Sequence, residues 1–364
     1  MIQISKPIIK KAEIEAVIKV LQSGNLVQGE KVKQLERDIA SLSEAKFAIA
    51  TNNGTSSLHT ALQILGIGRG DEVITTPFTF VATASSILMT GAKPVFADIR
   101  EDTYNINPKE IEKKINKKTK AIIAVDLYGQ PAEYNEINKI AKKHKLYVIG
   151  DAAQSIGAEY FGKKTGNLTD IACFSLYATK NITSGEGGII TTNKNELNKK
   201  ARIFRNQGQS EKTKYEYLGL GYNYRMTEIQ AAIAIEQLKR LPELTKKRQK
   251  IAKIYNKNFQ NIPGLILPVV KENTSSVYHQ YTLRITKKFK LSRDKLMDYL
   301  QKKGIQTNIY YPIPLYKFEH LKLGNSPREF PVAERVAKEV ISIPVHPLLS
   351  TRQIEYIIST IKKI

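Results

Sequence analysis

The first two-thirds of the chain alternate short apolar segments with amphipathic helical segments, and this alternation limits the possible folds more than any other feature. Seven of the apolar segments have the length and composition of strands: Phe47–Thr51, Glu72–Thr76, Pro94–Asp98, Ala121–Val125, Leu146–Gly150, Ile171–Ser175 and Gly188–Thr192. Most connections between the early strands are long enough to carry a helix, which implies right-handed crossovers and a mostly parallel sheet. The pattern therefore predicts a large α/β domain built on seven strands.

Apolar spacing and capping residues predict the helices. One helix near the N-terminus has four apolar residues on a single face: Ile14, Val17, Ile18 and Leu21. Gly24 follows it as a stop signal. Later, Thr227 and Gln230 form a capping-box pattern at the start of a long helix. Pro242 is expected to break that helix, and a second helix is expected to run toward Phe259.

The pattern changes after Pro263, which indicates a second, smaller unit. Four elements are predicted there: strand Val277–Ile285, helix Ser292–Lys303, strand Ile305–Asn308 and a final helix from Ser350. We therefore expect a large α/β domain over residues 1–240. Residues 241–364 are expected to hold a linking helix and a small C-terminal α+β domain, with the N-terminal segment as a candidate to pack on it.

Composition and charge narrow the class of protein. No apolar run approaches the roughly 20 residues that span a bilayer, and the N-terminus lacks the layout of a signal peptide. With a single cysteine, Cys173, a disulfide framework is excluded and a cytoplasmic location is the simplest expectation. The net charge of +23 suggests an acidic partner, yet the lysines are spread along many helices, as in 139–145 and 194–200. We expect them to be solvated, with neither nucleic acid nor membrane as partner.

Three segments that carry reactive side chains follow predicted strands, at the edge where open α/β sheets bind ligands. The first contains Gly54, Thr55 and Ser56 at a strand-to-helix turn. Free N–H groups and hydroxyls at such a helix start can bind a phosphate group. The alternative interpretation is a plain helix cap.

The second and third segments supply a carboxylate and a lysine. Asp151 ends a very apolar strand, where a charged carboxylate needs a partner such as a protonated ring nitrogen; alternatively it caps the next helix. Lys180 comes five residues after Ser175, before the glycine-rich segment 185–188. A lysine in this setting can have a lowered pKa and form a Schiff base, whereas most lysines are simply solvated.

The order of these three segments strongly resembles the DegT/DnrJ/StrS family of pyridoxal-phosphate-dependent nucleotide-sugar aminotransferases. Five further segments carry the same resemblance: Pro77–Thr83, Leu127–Pro131, Leu220–Met226, Glu228–Ala232 and Pro344–Pro347. The similarity covers nearly the whole chain. It implies the fold type I of pyridoxal-phosphate-dependent transferases, the aspartate aminotransferase-like fold, with a homodimer that shares its active site.

The resemblance also implies roles for nine residues. Lys180 is expected to bind pyridoxal 5'-phosphate covalently and to carry protons, and Asp151 to keep the pyridine nitrogen protonated. Phe80 is expected to stack on the ring, and Gln154 to contact the ring or its phenolic oxygen. The phosphate is assigned to the residues of the helix start and to two others: Gly54, Thr55, Ser56, Ser175 and, from the neighbouring subunit, Asn223. No metal is expected.

The implied reaction moves an amino group from L-glutamate to a keto group of a UDP- or dTDP-linked sugar. The amino sugar would serve surface polysaccharide or secondary-metabolite glycan synthesis. The sugar, its nucleotide and the choice of C3 or C4 stay open, as does the effect of Asp126 and Ile156 at positions that are often His in the family. Two rivals are a dehydratase, in which His replaces the lysine, and a nucleic-acid or regulatory binder suggested by charge alone.

Overall fold

The computed structural model of the protein describes residues 1–321 and 325–364. Twelve α-helices are formed in these ranges: α1 Lys11–Ser23, α2 Glu30–Leu42, α3 Gly54–Ile64, α4 Ala82–Met89, α5 Pro108–Lys114, α6 Tyr134–His144, α7 Asn195–Arg205, α8 Glu228–Lys239, α9 Leu241–Phe259, α10 Arg293–Lys302, α11 Pro331–Glu339 and α12 Thr351–Lys362. Thirteen strands accompany them: β1 Phe47–Thr51, β2 Glu72–Thr75, β3 Lys93–Phe96, β4 Thr119–Val125, β5 Tyr147–Asp151, β6 Glu159–Tyr160, β7 Lys163–Lys164, β8 Ile171–Ser175, β9 Gly188–Thr192, β10 Leu265–Ile266, β11 Thr274–Ser275, β12 Tyr281–Ile285 and β13 Val340–Ile343.

A seven-stranded sheet forms the centre of the larger part of the chain. Its strand order is β1–β9–β8–β5–β4–β2–β3, and its members are the seven predicted strands, with ends that differ by at most two residues. Only β9 runs against its neighbours, since it pairs antiparallel with both β1 and β8. Successive residues of β1 enter different apolar cores, because Ile49 faces one and Ala48 and Ala50 face another. Both faces of the sheet are therefore covered, as expected of parallel sheets.

The predicted helix signals around Pro242 are confirmed. Thr227 is the N-cap of α8 and exchanges hydrogen bonds with Gln230, as the capping-box pattern predicts. Pro242 lies in the first turn of α9, which runs to Phe259. A new helix can start there because the N–H groups of the first helical turn have no carbonyl acceptor within the helix. The missing N–H of Pro242 therefore costs no hydrogen bond.

Glu228 connects α8 to the start of α2 through three backbone hydrogen bonds. Its buried carboxylate accepts from the N–H groups of Gly29, Lys31 and Val32, each at 2.9 Å. A carboxylate at a helix N-terminus satisfies N–H groups that have no carbonyl partner within the helix. This residue of a family-like segment therefore has a structural role.

Replacing Glu228 with Gln is expected to lower the free energy of unfolding by about 1.5–3 kcal/mol, because an NH₂ group would face backbone donors. The midpoint of urea unfolding at fixed protein concentration measures the effect. Glu236→Gln on the same helix is the control. Among the described residues Glu236 pairs only with the exposed Lys239, so the change should alter stability by less than about 1 kcal/mol. Equal midpoints for the two variants would contradict this role of Glu228.

The C-terminal part contains a second, three-stranded sheet in the order β10–β12–β13. Helix α10 begins after its N-cap Ser292 and α12 begins after Ser350, as predicted. The predicted strand Val277–Ile285 is too long, because Tyr278 has a φ of 44° and extended pairing starts only at Tyr281. The division of the chain at residue 240 stays a prediction.

The predicted strand Ile305–Asn308 is wrong. Ile305 forms one isolated bridge with Ile2, and Asn308 forms another with Ser342, so no continuous ladder exists there. The third strand is instead β13, which directly follows α11 and pairs with β12. At the N-terminus, the N–H of Ile2 donates to the carbonyl oxygen of Gly304 at 2.7 Å.

Helix α1 forms as predicted but presents its apolar stripe to solvent. The side of α1 that faces its own chain carries Glu13 and Val20, which are buried. Ile14, Ile18 and Leu21 are 53%, 45% and 52% exposed. This apolar face is a candidate interaction surface. Among the described residues, no helix is long and apolar enough to cross a membrane.

Candidate active site

A cavity of about 890 Å³ opens at the carboxyl ends of β5 and β8. Eight of the nine predicted site residues line it: Gly54, Thr55, Ser56, Phe80, Asp151, Gln154, Ser175 and Lys180. These residues are up to 126 positions apart in sequence (54 to 180), and the order of the sheet brings them together because β5 and β8 are neighbours. The location agrees with the expected ligand-binding edge of an open α/β sheet.

The start of α3 provides backbone donors to this cavity. Asn53 is the N-cap, and its side-chain oxygen accepts the N–H of Ser56 at 2.8 Å. Within residues 1–321 and 325–364, no group accepts the N–H of Gly54 or Thr55. The helix cap and the predicted anion site therefore coexist. Capping uses the N–H of Ser56 and leaves the N–H groups of Gly54 and Thr55 free.

Gly54 allows close packing between the start of α3 and the end of β8. It is the first residue of α3, and a Cβ atom there would lie 3.0 Å from Cβ of Ser175. The absence of a side chain lets the end of β8 approach the start of α3. The Ser175 hydroxyl, which accepts the N–H of Tyr177 at 3.3 Å, consequently lies beside the free amides.

Asp151 is buried at the last position of β5. Its Oδ2 accepts a hydrogen bond from the Thr83 hydroxyl at 2.7 Å, and its Oδ1 accepts the N–H of Ala153 at 3.3 Å. Burial raises the pKa of Asp151, whereas the hydrogen bond from Thr83 and the charge of Lys180 oppose that rise. A carboxylate held in this way favours a cationic partner in the cavity.

Lys180 follows β8 by five residues and is partly exposed to the cavity. Burial lowers the pKa of its amine to about 8, although the charge of Asp151 acts in the opposite direction. Its side chain forms no hydrogen bond or ion pair with the part of the chain that the structure describes. A lysine that is deprotonated this readily, and is not held by a salt bridge, can serve as nucleophile and base.

Gln154 is oriented by a backbone hydrogen bond. Its Oε1 accepts the N–H of Tyr128 at 2.7 Å, so the amide nitrogen is the group left for the cavity, where it lies 3.3 Å from the hydroxyl of Tyr311. Phe80 is 56% exposed, and its ring centroid lies 6.3 Å from that of Tyr311. Both side chains could therefore contact a planar ring bound above Asp151.

The cavity wall also contains residues that the sequence did not single out, notably His279 and Tyr311. Asn181 donates its amide N–H to the carbonyl oxygen of Val277, so its oxygen is the atom 3.2 Å from Nδ1 of His279. Nδ1 must then carry the proton. Burial and the charges of Lys180 and Arg248 hold the pKa of His279 well below its usual range. Asn181 directly follows Lys180 in the sequence, and this neighbourhood is a signal that could have pointed to His279.

The two positions that depart from the family pattern lie in the core. Asp126 is fully buried and accepts from the Ala132 N–H and from the Tyr134 and Ser155 hydroxyls. Burial raises the pKa of Asp126 to about 7. Ile156 belongs to the apolar core beside the sheet. Neither residue lines the cavity, so their direct effect is on packing.

Asn223 lies outside the cavity of its own chain. It is exposed and forms an isolated bridge with Asn206, in a segment that also exposes Leu218 and Leu220. Its predicted contact with a neighbouring subunit stays a prediction. The described residues also contain no cluster of three or more His, Cys, Asp or Glu side chains that could hold a metal ion.

The geometry matches a ligand with three features. A phosphate group would meet the free amides of α3, a cationic ring nitrogen would meet Asp151, and an amine-reactive carbonyl would meet Lys180. The cavity lining also includes aromatic rings, among them Phe80, Tyr310 and Tyr311. This donor set fits pyridoxal phosphate.

Comparisons with known proteins agree with this geometry. Residues 7–362 match the family model of the DegT/DnrJ/EryC1/StrS aminotransferase family. The chain is 40% identical to UDP-2-acetamido-2-deoxy-3-oxo-D-glucuronate aminotransferase of Pseudomonas aeruginosa, over 95% of this chain and 94% of the relative. It is 39% identical to dTDP-3-amino-3,6-dideoxy-alpha-D-galactopyranose transaminase of Aneurinibacillus thermoaerophilus, over 96% and 94%.

Solved structures share the whole architecture. The PLP form of a putative sugar aminotransferase from Streptococcus pneumoniae superposes with a TM-score of 0.94 at 31% identity, covering 100% of this chain and 98% of that chain. The expected fold class, with its large mostly parallel sheet, is confirmed by this likeness.

Proposed function

We propose that this chain, which belongs to the DegT/DnrJ/EryC1/StrS aminotransferase family, transfers an amino group from L-glutamate to a keto group of a UDP- or dTDP-linked sugar. The protein is a pyridoxal-phosphate-dependent sugar aminotransferase, as its family and relatives indicate. The choice of glutamate and of these nucleotides is the proposed part. The observation that supports amine transfer is the meeting of Lys180, Asp151 and the free amides of α3 in one cavity. The UDP- and dTDP-linked sugars are proposed from the names of the two relatives.

Pyridoxal phosphate, when bound, supplies a carbonyl that takes up amines and a ring that accepts electrons from the substrate carbon. Gly54, Thr55, Ser56 and Ser175 would hold its phosphate, through the free N–H groups of Gly54 and Thr55 and the three hydroxyls. Asp151 would keep the ring nitrogen protonated, since its buried carboxylate gains most from a cation at that position. Gln154 would donate its amide N–H to the phenolic oxygen.

Lys180 would have two tasks in turnover. It would hold the cofactor covalently in the resting protein and then, once displaced by the amino donor, move a proton to and from the reacting carbon. The lowered pKa of about 8 suits both tasks, because an appreciable share of the amine is then unprotonated near neutral pH. The related dehydration reaction uses His in place of this lysine, so Lys180 favours amine transfer.

The proposed reaction is tested with L-glutamate and a panel of UDP- and dTDP-keto-sugars. We expect glutamate to bleach the visible absorption of the purified protein, and at least one sugar to restore it with release of an amino sugar. Formation of 2-oxoglutarate and of the amino sugar is followed by mass spectrometry. Persistent colour after glutamate, with no amino sugar from any member of the panel, would contradict the proposal.

We also propose that the active site is shared within a homodimer. The exposed stripe of α1 and the apolar segment around Leu218 and Leu220 are surfaces that a second copy would cover. Asn223 lies in that second surface, outside its own cavity, which is where a residue donated to a partner's phosphate site is expected. The proposal requires both surfaces to be buried in solution.

Replacing Ile18 with Asp is expected to convert the dimer to monomers and to remove most of the activity. A charge in the middle of the apolar stripe would have to be desolvated in the interface. Light scattering after size exclusion measures the mass, and Lys19→Asp on the exposed neighbouring position is the control. A dimer of unchanged stability in the Ile18 variant would rule out this interface.

Mixing two impaired variants tests whether the site is shared. Refolding Lys180→Ala together with Asn223→Ala yields hybrid dimers in which one site has both residues, so about a quarter of all sites become intact. Activity should therefore rise above that of either variant alone. No rise would mean that Asn223 serves its own chain or no site.

A further inference from the structure

A chain of two threonine hydroxyls leads to the buried carboxylate of Asp151. Thr83, in the first turn of α4, donates its hydroxyl to Oδ2 of Asp151 at 2.7 Å. The hydroxyl of Thr79, which lies four residues earlier and before the start of α4, is 3.1 Å from that of Thr83. Thr79 and Thr83 are 1% and 0% exposed, so water does not compete for these hydrogen bonds.

The direction of both hydrogen bonds follows from the number of protons. An ionised carboxylate has no proton to give, so the single hydroxyl proton of Thr83 is directed at Asp151. Thr83 can then only accept from Thr79, which fixes Thr79 as the donor of the second hydrogen bond. Hydrogen bonds are therefore donated in one direction, from Thr79 to Thr83 and from Thr83 to Asp151.

These two hydrogen bonds matter because few other groups stabilise the charged form of the buried Asp151 carboxylate. In the described ranges, the other groups that oppose the rise in its pKa are the N–H of Ala153, at a longer distance of 3.3 Å, and the charge of Lys180. Lys180 changes position and charge during the proposed reaction. Thr83 is thus the short, fixed hydrogen-bond donor to this carboxylate throughout turnover.

We propose that Thr79 and Thr83 are positioning residues that keep the Asp151 carboxylate ionised and directed at the ring nitrogen of pyridoxal phosphate. The proposal rests on the proposed function through the role of Asp151. Thr83 acts on the cofactor only through Asp151, since Thr83 itself does not line the cavity. Loss of the Thr83 hydroxyl should consequently weaken cofactor binding without removing any direct contact, whereas Thr79 itself lines the cavity.

The test is the affinity of the apoprotein for pyridoxal phosphate. Thr83→Val keeps the side-chain shape and removes the hydroxyl, and should raise the dissociation constant about 10- to 100-fold, as expected for a hydrogen bond to a charged group. Thr83→Ser should stay within about 3-fold of the unmodified protein, and Thr79→Val should show a smaller loss than Thr83→Val. Thr60→Val is the matched control, because Thr60 is buried and its hydroxyl has no partner among the described residues.

The pH dependence of binding separates this role from a general loss of structure. Without the hydrogen bond from Thr83 the pKa of Asp151 rises further. The carboxylate is then protonated at a higher pH during acidification. The midpoint of the acidic loss of affinity should therefore move to higher pH in Thr83→Val and not in Thr60→Val. In an Asp151→Asn background, Thr83→Val should have no further effect.

Two results would overturn the inference. One is a Thr83→Val protein with the same dissociation constant and pH midpoint as Thr60→Val. The other is an undiminished effect of Thr83→Val in the Asp151→Asn background, which would show that Thr83 acts without Asp151. A different result, Asp151→Asn binding the cofactor as tightly as the unmodified protein, would instead refute the role of Asp151 in the proposed function.

Discussion

Lys180→Ala is expected to lower the turnover number about 10⁴-fold or more, because one side chain both binds the cofactor covalently and carries the proton. The cavity would keep its phosphate donors and Asp151, so the variant should still bind pyridoxal phosphate without a covalent link. Single-turnover measurements with glutamate separate the chemical step from substrate binding. The absorbance spectrum of the variant shows whether the covalent bond to pyridoxal phosphate is absent.

Lys117→Ala is the control for this variant, since Lys117 is exposed and remote from the cavity. Its rate should equal that of the unmodified protein. The proton-carrying role also predicts a pH effect: below about pH 8 the amine of Lys180 is mostly charged, so the rate should rise as the pH approaches 8. A turnover number within 10-fold of normal in Lys180→Ala would refute the assignment of this residue.

Asp151→Asn is expected to lower the turnover number about 10²- to 10³-fold, with a much smaller effect on the KM for the sugar. The amide keeps the shape of the side chain but removes the charge that stabilises a protonated ring nitrogen, a loss comparable to that of one preorganised electrostatic partner. Steady-state kinetics measure the turnover number and KM separately. Asp298→Asn, at an exposed position, is the control.

The same variant should shift the pH profile. The charge of Asp151 raises the pKa of Lys180 against the effect of burial, so its removal lowers that pKa further. The pH range in which the turnover number rises should therefore move to lower pH in Asp151→Asn. An unchanged turnover number and an unchanged pH range would mean that Asp151 is only a helix-capping or packing residue.

The sequence predicted the central sheet well because its strands are buried on both faces. Such strands are continuous apolar runs, as in 171–175, and the structure confirms all seven of them. Val340–Ile343 was missed because this short run directly follows a helix. The strand predicted at Ile305–Asn308 does not form, since Ile305 and Asn308 make only isolated bridges.

The candidate site was predictable to the extent that its residues follow strands. Asp151 and Lys180 come after β5 and β8, and the carboxyl ends of parallel strands meet at one edge of a sheet. His279 and Tyr311 reach the cavity from remote segments, which no local pattern reveals. Likewise, the hydrogen bond from Thr83 to Asp151 joins residues 68 positions apart.

The apolar stripe of α1 shows a further limit of sequence patterns. Helical spacing predicted an apolar face correctly, but not which surface that face would meet. Within one chain the stripe is exposed, so its partner must be sought outside the chain. The mass of the protein in solution is therefore informative about the fold as well as about the active site.

The central claim is that Lys180 holds the cofactor, and its most direct test is reduction of the purified, yellow protein with borohydride. Reduction should fix pyridoxal phosphate irreversibly, and peptide mass mapping should place the added mass on the peptide that contains Lys180. Prior treatment with glutamate should release the link and prevent the labelling. Label on any other lysine, or no label at all, would contradict the account.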